Sequence, residues 1–184
     1  MKRVEQSSSR AVETEQTTES ERGTRHPTLI RPARPDEARI ISELAVRSKG
    51  HWGYEAAFLE ECRADLALSP EEIADSVVVV YENDDGIVGY YRLLPVEEKV
   101  VDLDALFVDP AAIGQGVGKH LWRHAVAQAR HLGFQTITIQ SDPHAEGFYL
   151  AMGATRAGEL ESTVTPGRML PLLRYALAIS GTAG

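Results

Sequence analysis

The chain is 184 residues long, 43% hydrophobic and 25% charged, the make-up of one globular domain with a tail. Its formal net charge of −8 argues against nonspecific nucleic-acid binding, which relies on Lys and Arg against phosphates, though a local basic patch remains compatible with it. No apolar run approaches the ~20 residues of a membrane span, no apolar signal core opens the chain, and the single Cys62 excludes an internal disulfide, so a cytoplasmic location is expected.

Residues 1–26 are rich in Ser, Thr, Glu, Gln and Arg and nearly free of large apolar side chains, which predicts a disordered tail before a domain over 27–180. Thr28 to Ala33 reads as a short first strand. Pro35-Asp36-Glu37 supplies the proline and early acids of a helix start, continued by Ile40, Ile41, Leu44 and Ala45 at helical spacing. Lys49 to Tyr54 breaks that pattern, and a second helix with Phe58, Leu59, Cys62 and Leu66 runs to about Leu68. Val77 to Tyr81 is a buried strand, 83–86 (Asn-Asp-Asp-Gly) a hairpin turn, and Ile87 to Leu94 and Lys99 to Val108 the next strands. A helix from Gly118 to Leu132 ends at Gly133. A strand from Phe134 to Gln140, a short helix from Ala145 to Met152 and strands near 155–161 and 169–177 complete an order β-α-α-β-β-β-α-β-α-β-β.

The most informative stretch is the turn after the strand that ends at Val108. It carries Gly114, Gly116 and Gly118 and leads into an amphipathic helix. A helix start leaves its first N–H groups without intrahelical partners, and glycines let the backbone approach an anion closely. A phosphorylated ligand is therefore expected. A nucleotide P-loop is excluded, since Ile113 and His120 occupy its first-glycine and hydroxyl positions. The dinucleotide fingerprint fails at Lys119, and the turn stands too late in the chain.

The turn resembles the pyrophosphate loop [QR]-x-x-G-x-[GA] of the GNAT superfamily of N-acetyltransferases, with Gly116 and Gly118 at the small positions and Ile113 in place of Arg or Gln. Downstream, 142–154 (DPHAEGFYLAMGA) is similar to that family's N-x-x-A-x-x-F-Y-x-x-x-G-[FA] block, with Asp142 for Asn. The resemblance covers roughly residues 27–178. It implies an α/β, GNAT-type acyl-CoA N-acyltransferase fold, a mixed and mostly antiparallel sheet with helices on both faces. It also implies acetyl-CoA as co-substrate, no metal, and direct attack of an amine on the thioester.

Carried over residue by residue, the resemblance implies that Leu106, Phe107 and Val108 pair along the pantetheine arm. N–H groups from Gln115 through Gly116, Val117, Gly118 and Lys119 to His120 would take the pyrophosphate. Lys119 adds charge there or is a solvated helix-start lysine. Tyr149 takes the position of the tyrosine that protonates the leaving thiolate, a role within reach of a phenol. Asp102 and Asp104 are two acids in an otherwise apolar strand, on one face of the sheet. They attract the amine and relay its proton, with Asp104 preferred as base, or they lie on a solvated face. His51, Trp52 and Tyr54 wall the acceptor site or merely anchor packing. Asp142 bonds the pantetheine or caps the helix at 145. Arg168 meets a substrate carboxylate or the sheet edge. His120 and His124 have a zinc-compatible spacing but no third ligand, so surface histidines are the better reading. Cys62 has no partner base, which speaks against a covalent route.

The expected function is acetyl transfer to a primary amine of a small molecule, or of a protein, with the acidic balance leaning towards cationic small molecules. The alternative is a non-catalytic acyl-CoA sensor on the same fold. Edge pairing or exchange of the last strand offers a route to a homodimer.

Overall fold

The computed structural model describes residues 28–177, so the tail expected over 1–26 and the last residues of the 27–180 domain lie outside the described part. Its elements are β1 (Leu29–Pro32), a 3-10 turn (Pro35–Glu37), α1 (Ala38–Gly50), α2 (Ala56–Cys62), α3 (Pro70–Asp75), β2 (Val77–Asn83), β3 (Gly86–Glu97), β4 (Val100–Val108), a second 3-10 turn (Pro110–Ala112), α4 (Val117–His131), β5 (Thr136–Gln140), α5 (Glu146–Ala151), β6 (Thr155–Glu161) and β7 (Met169–Ala176).

One helix departs from the sequence expectation. The second helix stops at Cys62 instead of reaching Leu68, and α3 starts anew at Pro70. The cause is a reciprocal cap: Glu72 N–H donates to Ser69 Oγ (3.1 Å), and Ser69 N–H donates to the Glu72 carboxylate (2.8 Å). Ser69-Pro-Glu-Glu is a capping-box sequence with proline at the first helical position, so the signal was in the chain.

The strands form one sheet in the order β1-β2-β3-β4-β5-β7-β6. All pairs are antiparallel except β4 with β5, which run parallel and pair only from Val100–Asp102 to Thr136–Thr138. From Leu103 to Val108, β4 keeps β3 on one side and, among the described residues, has no strand on the other. The sheet therefore splits, and its exposed strand edges face a gap.

Helices cover both faces. On one face α4 presents Val117, Leu121, Trp122, Ala125 and Ala129 to Tyr91, Leu93, Val101, Ile137 and Leu173. On the other, Ile41, Leu44 and Ala45 of α1 and Ile73 of α3 pack on Val78, Val80 and Tyr90. Gly89 sets the closeness of α4 to the sheet. A Cβ there would lie 2.9 Å from Leu121 Cδ1 and 3.1 Å from the Phe107 carbonyl oxygen, so only glycine fits. A bulge resets β4: Arg92 opposes Ala105 while Leu93 opposes Leu103, leaving Asp104 as the extra residue. In consequence Leu103 enters the α4-side core and Ala105 the α1-side core, although they stand two apart.

Candidate active site

The split between β4 and β5 opens into a cavity of about 1050 Å³. Its walls are the free half of β4, the end of β5, the α1–α2 region, the start of α4, Tyr149 of α5 and the β6–β7 loop.

The α4 end of the cavity is made of backbone. Gly116 takes a left-handed conformation (φ 84°, ψ 0°) as the N-cap, which turns the chain into the helix without a side-chain clash. Among the described residues, the N–H groups of Gly114, Gly116, Val117, Gly118 and Lys119 have no acceptor. Gln115 N–H, by contrast, donates to the Ala112 carbonyl (3.3 Å), and His120 N–H to that of Gly116 (3.1 Å). Neither Gln115 nor His120 lines the cavity, whereas Gly114 and the run from Gly116 to Lys119 do. The expected cradle from Gln115 to His120 is thus corrected at both ends. The Gln115 amide folds back onto the Ala111 carbonyl (2.9 Å), and the His120 ring stacks on Tyr81 (centroids 6.0 Å apart). Lys119 is exposed and has no carboxylate within ion-pair distance among the described residues.

At the inner end, Tyr149 is buried against Trp122 and Phe148, with ring centroids 5.7 and 5.1 Å away, and lines the cavity. Its hydroxyl has no hydrogen-bond partner among the described residues, and burial, with Asp102 nearby, pushes it above the usual phenol range. It therefore stays protonated and able to donate. Asp102 and Asp104 both line the cavity. Asp102 accepts from the Thr138 hydroxyl (2.6 Å), and Asp104 lies 3.4 Å from Arg92. Burial raises both carboxyls; Thr138 opposes that at Asp102, and Arg92 opposes it at Asp104. Asp104 already has a cationic partner, so the freer carboxylate is Asp102.

The outer wall is a polar cluster whose members come from separate segments. Asp142 does not cap α5, whose N-cap is Ala145 with no side-chain bond. The Asp142 carboxylate instead accepts from the N–H of His144 (3.0 Å) and from the Tyr54 hydroxyl (2.9 Å), with Lys49 at 3.4 Å and Arg168 at 3.6 Å. Burial pushes this carboxyl up, but those donors and cations outweigh it and hold it below the usual range. The Tyr54 hydroxyl, pushed up to about 12 by burial and Asp142, also accepts from Arg168 Nη2 (2.6 Å). Trp52 stacks flat on His144 (5.3 Å, 1°) and lines the cavity. Two expected wall residues stand elsewhere. Tyr54 lies behind the lining and positions Asp142 and Arg168, while His51 is exposed at the end of α1, edge-on to Trp52 (5.2 Å). Sequence reasoning passed over Lys49, Phe58, Arg92 and Glu72, which all line the cavity. Lys49 is the penultimate residue of α1, and Arg92 is a charge inside an apolar strand; the latter was the available signal.

The free cysteine, Cys62, is buried in the cavity wall, and burial pushes its thiol up. A thiol so placed is a poor nucleophile. His124 Nδ1 lies 2.8 Å from the Tyr91 hydroxyl, so it and His120 have different aromatic partners. No group of three or more His, Cys, Asp or Glu suited to a metal occurs among the described residues, and none of their helices is long and apolar enough to cross a membrane.

The free-amide helix start is what the glycine loop implied, the split sheet is added by the fold, and known proteins offer a comparison. The acetyltransferase (GNAT) family model matches residues 40–154, more than half of the chain. The chain belongs to the GNAT acetyltransferase family. Over 59 residues this GNAT chain is 42% identical to the peptidyl-lysine N-acetyltransferase YjaB of Salmonella typhimurium, a match that covers 32% of the chain and 39% of that relative. The solved GCN5-related N-acetyltransferase from Rhodopseudomonas palustris superposes with a TM-score of 0.67 at 17% identity, covering 83% of this chain and 98% of that one. YncA of Salmonella typhimurium, solved with acetyl-CoA, gives a TM-score of 0.60 at 19% identity, with coverage of 86% and 99%. These two likenesses establish the GNAT fold.

Proposed function

We propose that the protein is an acetyl-CoA-dependent N-acetyltransferase that moves an acetyl group to a primary amine of a small molecule by direct attack. The observation that carries this reading is the row of unpaired N–H groups at Gly114 and Gly116–Lys119, on the same cavity into which Tyr149 faces. Such donors at the positive end of a helix suit a pyrophosphate, and the exposed Lys119 ammonium adds to their field. The unpartnered edge of β4 from Leu103 to Val108 suits an extended amide-bearing arm laid along it. YncA of Salmonella typhimurium, which shares the fold, is solved with acetyl-CoA, and this supports the reading.

When bound, acetyl-CoA supplies an activated thioester carbonyl. The protein's own groups then handle two protons. Asp102 and Asp104 draw an ammonium group into the cavity and take up its proton, either directly or through water. Tyr149 delivers its hydroxyl proton to the departing sulfur, which a neutral phenol held in a dry pocket can do at neutral pH. An N–H on the free edge of β4 is available to the carbonyl oxygen as negative charge develops there.

Thermal unfolding against acetyl-CoA concentration tests the binding half. A ligand at 100 times its dissociation constant adds ~2.7 kcal/mol, visible as a raised midpoint. No shift at millimolar acetyl-CoA sinks the reading. Thiol release across an amine panel then tests transfer.

A further inference from the structure

Two clusters on the cavity wall carry opposite charge imbalances. In the first, Asp102, Asp104 and Glu72 face a single cation, Arg92, which reaches Asp104 (3.4 Å) and Glu72 (3.3 Å). In the second, two cations share a single anion. Lys49 Nζ lies 3.4 Å and Arg168 Nη2 3.6 Å from the same oxygen of Asp142. Neither cation has another carboxylate within ion-pair distance among the described residues, and their side chains are only 17% and 21% exposed. Asp142 is meanwhile occupied by the His144 N–H and the Tyr54 hydroxyl.

Holding a half-buried positive charge without an anion is costly, and a fold retains it most readily where an anion is to be bound. Arg168 has the means to bind one. Its Nη2 is committed to Tyr54, but Nε and Nη1 have no acceptor among the described residues. Each of these free N–H groups can donate a charge-assisted hydrogen bond to a carboxylate. The side chain is also held in place. It lies over the rings of Tyr54 (5.0 Å) and Phe58 (4.9 Å), with the Lys49 ammonium 5.4 and 5.6 Å from the same two rings. Its loop is closed by Ser162 N–H donating to the Arg168 carbonyl (2.7 Å) and by Gly167 N–H donating to Glu161 (2.6 Å).

We propose that the acceptor is a zwitterion, a small amine that also carries a carboxylate, with the carboxylate held by Arg168 and Lys49 and the amino end drawn to Asp102 and Asp104. This rests on the transferase reading and narrows it. A substrate with positive charge alone leaves the excess positive charge of Lys49 and Arg168 unanswered, and one with negative charge alone leaves the excess negative charge of the acids so. A zwitterion answers both.

The test is a matched series on the full chain: glycine, β-alanine, 4-aminobutyrate, 5-aminovalerate and 6-aminohexanoate against n-alkylamines of equal length. A lysine peptide blocked at both ends is added. Turnover is measured by thiol release and binding by titration into the CoA-loaded protein. At least one amino acid should exceed its alkylamine by tenfold or more in kcat/KM and in affinity, and the best length reads the spacing between the ends. Arg168→Met should bring that ratio near one. Arg168→Lys, which keeps the charge and loses the planar set of donors, should retain an intermediate preference and guards against misfolding of the first variant. Equal use of both series, or faster use of the blocked peptide, overturns the zwitterion while leaving the transferase intact. A raised KM for acetyl-CoA in both variants, with the acid preference unchanged, assigns the cations to the co-substrate and also overturns it. If no amine turns over, the binding preference alone decides this proposal, and the acetyl-CoA titration separately decides the other.

Discussion

The two ends of the cavity are built in different ways. The α4 end comes from one continuous stretch, Gly114 to Lys119, and offers main-chain N–H groups. The proposed acceptor end gathers Lys49, Tyr54, Asp142 and Arg168 from three separate segments, and offers side-chain charge. Main-chain donors ask of the sequence only that it permit a helix to start and the backbone to be bare, so the pattern is short and readable. Side-chain clusters depend on where distant segments finish, and each residue in isolation looks ordinary.

If that contrast is right, substitutions at the two ends should fail differently. The largest effect belongs to the group between them. Tyr149→Phe should lower kcat by about 100-fold or more, the scale of a lost general acid, with acetyl-CoA affinity nearly unchanged; equal kcat removes Tyr149 from the chemistry. At the loop, Gly116→Ala forces a non-glycine residue into a left-handed turn, which costs roughly 1–2 kcal/mol. It should weaken acetyl-CoA binding in a calorimetric titration while the acceptor KM holds. At the acceptor end, Tyr54→Phe removes the hydroxyl that joins Asp142 to Arg168. The acceptor KM should rise several-fold with acetyl-CoA KM constant, and an effect on both would merge the two ends into one unit.

The carboxylates sharpen the comparison through pH. Asp142 sits below its ordinary range. Its contribution to stability is fully present above the unfolded-state value of ~3.9 and is lost as pH falls through the lower folded value. Asp102 sits above that range. Between its unfolded and folded values the native state binds more protons, so stability falls as pH rises through that window. Urea unfolding at about pH 2, 4 and 7 should therefore show Asp142→Asn losing ground to the parent between the first two, and Asp102→Asn gaining between the last two. The same sign for both would refute the opposed environments.

A last effect concerns the scaffold beneath both ends and leaves the chemistry untouched. Gly89→Ala places a Cβ 2.9 Å from Leu121 and should cost about 1–3 kcal/mol as an overpacked contact. A drop in the unfolding midpoint measures it, and an unchanged midpoint means that α4 can lift from the sheet at little cost.

Much of the fold was legible because its signals are local. Val77 to Tyr81, the turn before Gly86 and the amphipathic run ending at Gly133 each carry their own pattern, and each became the element expected. The capping box at Ser69 was equally local and was simply passed over. Within the site, Asp102 and Asp104 were expected on one face by alternation. They do line one cavity, yet the bulge at Asp104 resets the strand, so alternation alone would misplace Ala105. Gln115 and His120 were included because they stand within the loop, and only hydrogen bonding separates them from their neighbours.

By itself, then, the sequence determined the family, the sheet-and-helix order apart from α3, and the place of the glycine turn that opens α4, because a helix start and its glycines are specified within a few residues. Tertiary structure alone decided which N–H groups stay free, where β4 and β5 part, and that two cations meet around one Asp142. Those outcomes depend on register, on a bulge and on loops from distant segments converging, and no local pattern encodes the distance between Lys49 and Arg168.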